Sequence, residues 1–398
     1  MKIFNSLKSA SLIIVSTLLI VTSCNKAPLD PTPIVLPAQA TSPTLASLLD
    51  NSEFSILKAA VDKAGLLTAI GNTTSRYTLY APNNNAFILA GIPSAAVIGA
   101  LPASTVAALI SYHISPQKIT SSTIPTAAFS NFEYPTLLNP TAGTPAFNPL
   151  VSLTTFPSKR GSAGWLNNVP LTEMDISAVN GVMHKVYTLA SPPTKYLWDS
   201  ISVSKDLTFL KAAIVRADSG VVVSGQLRTA VSSFGANLTV LAPTNLAFQT
   251  LLTGAIYQAL VRQGMPAATA YPTAQYLAST PDVFSNPTLY GALSAQTVKG
   301  IVVYHILGTS IPGNRVFSVN LPSTPTLIKT LLNSAIPAHP GVLAQATFAG
   351  PFVGAASFKG AANATASNVI INPLNPFLTD QNYVNGSMMK IDQVLLPK

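Results

Sequence analysis

Tyr77-Thr-Leu-Tyr-Ala-Pro-Asn-Asn-Asn-Ala-Phe87 decides the fold, because the chain spells it again as Leu238-Thr-Val-Leu-Ala-Pro-Thr-Asn-Leu-Ala-Phe248. Each copy reads as a short strand, a proline corner and a helix start. Thr78 to Ala81 and Thr239 to Ala242 supply β-favouring runs. Pro82 and Pro243 have no N–H for a sheet ladder, so each strand is expected to stop there. Asn83 and Thr244 then stand at N-cap positions, with oxygens suited to the first free amides of a helix. Phe87 and Phe248 follow as core anchors.

Other phrases return in the same order. Phe54-Ser-Ile-Leu-Lys-Ala-Ala-Val61 is echoed by Leu207-Thr-Phe-Leu-Lys-Ala-Ala-Ile214, both helical in period. Tyr112-His113-Ile114 is echoed by Tyr304-His305-Ile306. The first follows a helix over Ser104 to Tyr112, with Ser104 as the expected cap. Asn180-Gly181 and Asn385-Gly386 each sit inside a closing segment that reads as a hairpin, with Asn-Gly as the turn. The chain is therefore two copies of one module.

The copies differ in spacing. Phe87 to His113 is 26 residues, whereas Phe248 to His305 is 57, so the second copy carries 31 extra residues, roughly Thr253 to Ser285. The insertion holds Tyr257, Tyr271, Tyr276 and Phe284. Insertions of this size are expected on the surface, where they often carry function.

The chain starts with a basic segment (Lys2, Lys8) and an apolar run from Ala10 to Val21 that ends in Val21-Thr-Ser-Cys24. The run is too short to span ~30 Å of hydrocarbon and reads as a secretory leader. Its end resembles a bacterial lipobox, which implies cleavage and lipidation of Cys24, the chain's one cysteine. An ordinary leader with an incidental cysteine is the alternative. Residues 25–43 hold five prolines and read as an extended tether, reaching at most about 60 Å at about 3.1 Å per residue. The organisation expected is a leader at 1–23, a tether at 24–43, and modules at 44–193 and 194–398.

Charged residues make up 9% of the chain against 48% hydrophobic, and the net charge is +9. That profile suits a well-cored exported protein. The cations do not cluster beyond Lys159-Arg160, so nucleic acid is not expected as a partner.

The repeated phrases together resemble the fasciclin-like (FAS1) domain family. Thr78 to Phe87 and Thr239 to Phe248 match its first block, with Tyr80 and Leu241 at the family's usual Phe. The two Tyr-His-Ile phrases match its second. Asn180-Gly-Val-Met-His184 matches its ending well, and Asn385-Gly-Ser-Met-Met389 less closely. The resemblance implies an α+β fold of two tandem modules, each a wedge-like β-sandwich with helices packed along one side. It also implies adhesion or interaction with a protein or glycan.

Catalytic and metal-binding constellations are sparse. His113, His184, His305 and His339 show no ligand spacing. His113 and His305 are expected as buried structural residues that donate to backbone near the proline corner of their own module. Glu173 and Asp175 would share a strand face, which is the closest approach to a carboxylate pair. Ser55-x-x-Lys58 and Ser202-x-x-Lys205 match a nucleophile spacing without its companion motifs. Neither an enzyme nor a cofactor is expected. Four Asn-x-Ser/Thr sequons, at Asn72, Asn237, Asn363 and Asn385, read as incidental in a bacterial lipoprotein.

The function expected is that of a membrane-anchored adhesion or interaction protein of the cell envelope, at the outer membrane or cell surface of a Gram-negative bacterium. Partner contacts are placed on Tyr257, Tyr271 and Tyr276. The alternative is a glycan- or small-ligand-binding lipoprotein of a nutrient uptake system, in which Tyr271, Tyr276 and Trp165 would stack on sugar faces.

Overall fold

A computed structural model describes residues 42–126, 128–129, 131–308, 315–372 and 379–398. The leader, Cys24 and the tether up to residue 41 lie outside the described residues.

The first copy runs through helices α1 (Leu45–Leu48), α2 (Ser55–Lys63) and α3 (Leu67–Gly71), then strand β1 (Tyr77–Pro82). Helices α4 (Asn84–Leu89), α5 (Ala95–Ala100) and α6 (Ala103–Tyr112) follow, then strands β2 (Ile114–Ser115), β3 (Tyr134–Pro135) and β4 (Thr154–Thr155). It closes with β5 (Pro157–Arg160), β6 (Ala163–Leu166), β7 (Val169–Ala178) and β8 (Gly181–Val186). The second copy repeats the order with α7 (Leu197–Val203), α8 (Thr208–Ala217), α9 (Leu227–Ala230), β9 (Leu238–Pro243) and α10 (Asn245–Arg262). It goes on through α11 (Ala267–Leu277), α12 (Ala295–Tyr304), β10 (Ile306–Leu307), β11 (Thr326–Ile328), β12 (Val342–Ala349) and β13 (Phe352–Lys359). Last come β14 (Ser367–Asn368), β15 (Asp380–Tyr383) and β16 (Gly386–Ile391).

The fold is α+β. Strand β1 lies between β2, antiparallel, and β8, parallel, and β9 lies likewise between β10 and β16. In the first copy the sheet continues past β8 in the order β7-β6-β5, whereas in the second it ends at β15. A separate sheet, β11-β12-β13-β14, completes the second copy. Residues 42–398 form one compact unit.

The strand and the aromatic anchor of the opening phrase are interior, while Asn85 and Leu246 face outward. Leu79, Tyr80 and Ala81 are buried, as are Phe87 and Phe248. Both strands end at their prolines, Pro82 and Pro243. Asn83 accepts from Ala86 N at 2.9 Å, and Thr244 accepts from Ala247 N at 3.3 Å, so each satisfies one orphan amide of the helix it opens. Pro102, not Ser104, precedes α6, and that helix has no side-chain cap.

The turn chemistry needs correcting. The hairpin loops are Val179-Asn180 and Val384-Asn385, since Ala178 pairs with Gly181 and Tyr383 with Gly386. The asparagines are buried clamps. Asn180 accepts from Leu45 N at 2.9 Å and donates to Ile70 O at 2.7 Å, and Asn385 accepts from Leu197 N and donates to Val231 O. The glycines serve strand contact. A Cβ on Gly181 would stand 2.0 Å from Tyr77 O, and one on Gly386 would stand 2.3 Å from Leu238 O.

The insertion is not confined to the surface. It lengthens α10 and adds α11, and its inner residues Ile256, Ala270, Ala274 and Phe284 are buried. Phe284 meets the Phe248 ring edge-on at 6.0 Å, and Phe248 stacks on Phe209 at 6.2 Å.

Candidate functional site

Tyr-His-Ile is also interior. The ring Nδ1 of His113 lies 2.8 Å from Leu109 O, and its Nε2 accepts from Ala190 N at 3.1 Å. His305 repeats this with Ile301 O at 2.8 Å and Leu395 N at 2.8 Å. Accepting at Nε2 puts the proton on Nδ1, so both rings are neutral donors to their own helix. Burial pushes each down to about 4, against the hydrogen bond to the helix carbonyl. The rings thus tie the end of helix α6 or α12 to the closing segment, not to the proline corner. What reaches the corner strand is backbone: Tyr80 N donates to His113 O and Leu241 N to His305 O.

The acidic pair is split. Glu173 bridges to Lys185 at 2.9 Å, while Asp175, at φ +65°, accepts from Ser121 N at 2.8 Å. The Ser-x-x-Lys matches also part: Ser55 donates to Asn84, Lys58 pairs with Asp50, and Ser202 donates to Asp199 O. Among the described residues no three His, Cys, Asp or Glu gather into a metal site, and no helix is long and apolar enough to cross a membrane.

The three tyrosines of the insertion lie on the α10–α11 pair. Tyr257 and Tyr271 meet edge-on at 5.9 Å, and Tyr271 and Tyr276 are 51% and 79% exposed. Five residues apart on one helix, Tyr271 and Tyr276 point about 140° from one another. Two aromatic surfaces result, not one.

Trp165 takes no part in any exposed surface. It is 1% exposed, packs against Phe348 and donates from Nε1 to Pro351 O at 2.8 Å. It belongs to a junction between the copies that the sequence reading misses. Phe156 and Phe317 pack there at 6.3 Å. Two arginines cross in opposite directions. Arg160 lies over Phe348 at 4.2 Å and donates to Leu321 O. Arg315 lies over Phe156 at 4.5 Å. It is buried, and it donates to Asn237 Oδ1, Asn382 Oδ1 and Tyr383 O at 2.7–2.8 Å. Burial lowers its guanidinium to about 10, against the fields of Tyr112 and Glu133, so it remains a cation at neutral pH. Asn131 brackets its backbone, accepting from Arg315 N and donating to Arg315 O.

Beside the junction runs a cleft of about 570 Å³. Leu89, Ile92 and Leu109 form one wall, residues 188–195 the floor, and Gln381 and Asn382 of β15 the other wall. It offers apolar contact, amides and hydroxyls, with Lys195 and Asp380 as its charged groups. Of the junction, only Arg160 carries a sequence signal, as half of the chain's one paired cation run.

The fasciclin domain model matches residues 52–192. The solved structure of a FAS1 domain pair from the insect cell adhesion molecule Fasciclin I aligns with 86% of this chain and 95% of that one, at 13% identity and a TM-score of 0.32. No curated protein matches the sequence.

Proposed function

We propose, from the match of residues 52–192 to the fasciclin domain model, a two-module interaction protein of the cell surface, tied to a membrane by a lipid on Cys24. Fasciclin domains are generally adhesion and interaction domains, typically extracellular or at the cell surface. The modules are taken as 44–193 and 194–398, and the partner is a protein or glycan.

The observation that carries this reading is the exposure of Tyr271 and Tyr276 on α11, an element the first copy lacks. Exposed tyrosines supply large contact area with a polar tip at little entropic cost, which suits them to partner surfaces. Burial of Trp165 removes one of the three rings on which the alternative, a glycan-binding uptake lipoprotein, relies.

Deleting 253–285 is a poor test, because it would strip Ile256 and Phe284 from the core. Point changes are cleaner. Tyr271→Ala with Tyr276→Ala should leave the thermal midpoint within about 2 °C, as surface substitutions do, while cell or matrix attachment falls. Attachment equal to wild type would exclude the α11 surface. Cys24→Ser should abolish incorporation of labelled fatty acid and release the protein from membranes.

A further inference from the structure

A second groove, of about 440 Å³, lies on the second module. Its volume falls within the range of small-ligand sites. One wall is the outer stripe of α8, with Thr208, Lys211, Val215 and Arg216, and the other is the turn over Pro281–Ser285 together with Tyr290. Phe284 is buried and lines it. Both walls of this groove are the outer sides of helical turns, which present side chains.

The repeat supplies an internal control. Aligning Phe54–Val61 with Leu207–Ile214 places Lys63 opposite Arg216. Lys63 directs its ammonium at two carbonyls, Ile98 O at 3.0 Å and Gly99 O at 2.6 Å. Arg216 does the corresponding work with one nitrogen, Nε, which donates to Leu293 O at 3.0 Å. Its guanidinium carbon lies over the Tyr290 ring, 3.6 Å from the centroid. The hydrogen bond at Nε and the ring hold the group at two points, and among the described residues its two terminal nitrogens have no protein acceptor. A fixed planar fork is what a carboxylate binds in two-point fashion. Lys211 adds a second cation, donating to Ser202 O at 3.1 Å. Asp282 is the one acid lining the groove, so the balance is positive.

From this geometry we infer that the groove is a carboxylate site, and that its ligand is an acidic saccharide. Arg216 holds the carboxylate and Lys211 reinforces it. Thr208, Ser219 and Ser285 line the groove with hydroxyls that donate to Asn245 Oδ1, Val215 O and Asp282 O, which leaves their oxygens to accept from sugar hydroxyls, and Val215 gives an apolar patch for a ring face. A peptide acid could use Arg216 in the same way, but a saccharide also supplies hydroxyl donors to the accepting oxygens of Thr208, Ser219 and Ser285. The site is separate from the α11 tyrosines, and neither requires the other.

The test is titration calorimetry on the full chain with an oligouronate, a neutral oligosaccharide of equal length, and oligoglutamate. The oligouronate should bind, more weakly as salt rises, and the neutral sugar should not. Arg216→Lys restores the residue of the first copy, which can still reach Leu293 O. It should keep the melting temperature and lose roughly tenfold or more in affinity, the worth of a charge-assisted hydrogen bond. Lys211→Gln, at an exposed position, should weaken binding with no effect on folding. Absence of oligouronate binding, equal binding of the neutral sugar, or full affinity in both variants would overturn the assignment. Tighter binding of oligoglutamate would replace the saccharide by an acidic peptide. None of these results bears on attachment through Tyr271 and Tyr276.

Discussion

Replacing Asp380 by Asn isolates one electrostatic penalty at the junction. Asp380 is 4% exposed and accepts from Ser318 N at 3.0 Å and Ser318 Oγ at 2.5 Å. Burial pushes its carboxyl up from 3.8 to about 6, against the two Ser318 hydrogen bonds, which pull the other way. A folded pKa above the unfolded value means that folding favours the protonated form. The stability so contributed is whole below about pH 3.8 and is lost as pH rises through about 6. Two pK units at about 1.4 kcal/mol each make the loss about 3 kcal/mol. Asn is neutral throughout and keeps the shape. Its Oδ1 can accept from Ser318 N while its amide donates to Ser318 Oγ. Asp380→Asn should therefore match wild type near pH 3.5 and exceed it by about 3 kcal/mol at pH 8, the gap opening by about 1.4 kcal/mol per pH unit between. Urea unfolding followed by tryptophan emission suits the measurement, because Trp165 is buried at the same junction. A variant less stable than wild type at pH 8 would refute the reasoning, since it would mean that Ser318 holds the ionised carboxylate more strongly than burial opposes it.

His113 and His305 run the other way. With folded pKa values of about 4, their stability is present above pH 6.5 and is lost as pH falls through 4, by about 3 kcal/mol each. Their imidazole resonances should stay flat from pH 8 to 5 in an NMR titration, and a midpoint near 6.5 for either ring would contradict the Nδ1–H assignment. Arg315→Met leaves the acceptors on Asn237, Asn382 and Tyr383 without their donor, so it should lose about 3–5 kcal/mol by urea unfolding. A loss below 1 kcal/mol would show that the crossing arginine does not hold the junction. Tyr80→Phe removes a buried hydroxyl that has no hydrogen-bond partner among the described residues, and should raise stability by about 1 kcal/mol. A drop in thermal midpoint would reveal a partner for that hydroxyl.

Tyr80 also shows where sequence is legible and where it is not. The strand–proline–cap phrase can be read because its interactions are local: a ladder end at Pro82 and a cap three residues long at Asn83. The hairpins at Asn180 and Asn385 can be placed but their chemistry cannot, since Asn180 reaches Leu45 and Ile70, over a hundred residues away. The insertion can be sized by counting, yet whether Phe284 turns inward depends on Phe248 across the fold. Trp165 and Arg315 leave no local trace, because the Trp165 partners and the Phe156 ring under Arg315 belong to the other copy, and the acceptors of Arg315 lie 67 to 78 residues away in its own. The Lys63–Arg216 difference is visible only when the copies are aligned and the carbonyl each one serves is known.

The sheets give a physical reason for the junction to form where it does. The first copy extends its sheet beyond β7 with β6 and β5, whereas the second stops at β15 and has an edge there. Unpaired edges invite pairing with other chains unless they are covered. Here the cover comes partly from the other copy and partly from single side chains. Arg315 donates to Tyr383 O, Val384 N donates to Lys195 O of the connecting segment, and Asn168 of the first copy donates to Asp380 O. None of these makes a strand, so the edge is blunted without being extended. The cleft floored by residues 188–195 then lies along the same edge, and Gln381 and Asn382 face it. A sheet that, among the described residues, ends at β15 while β11–β14 form a separate sheet thus accounts for both features: a junction sealed by side chains and backbone of other segments, and a cleft beside it.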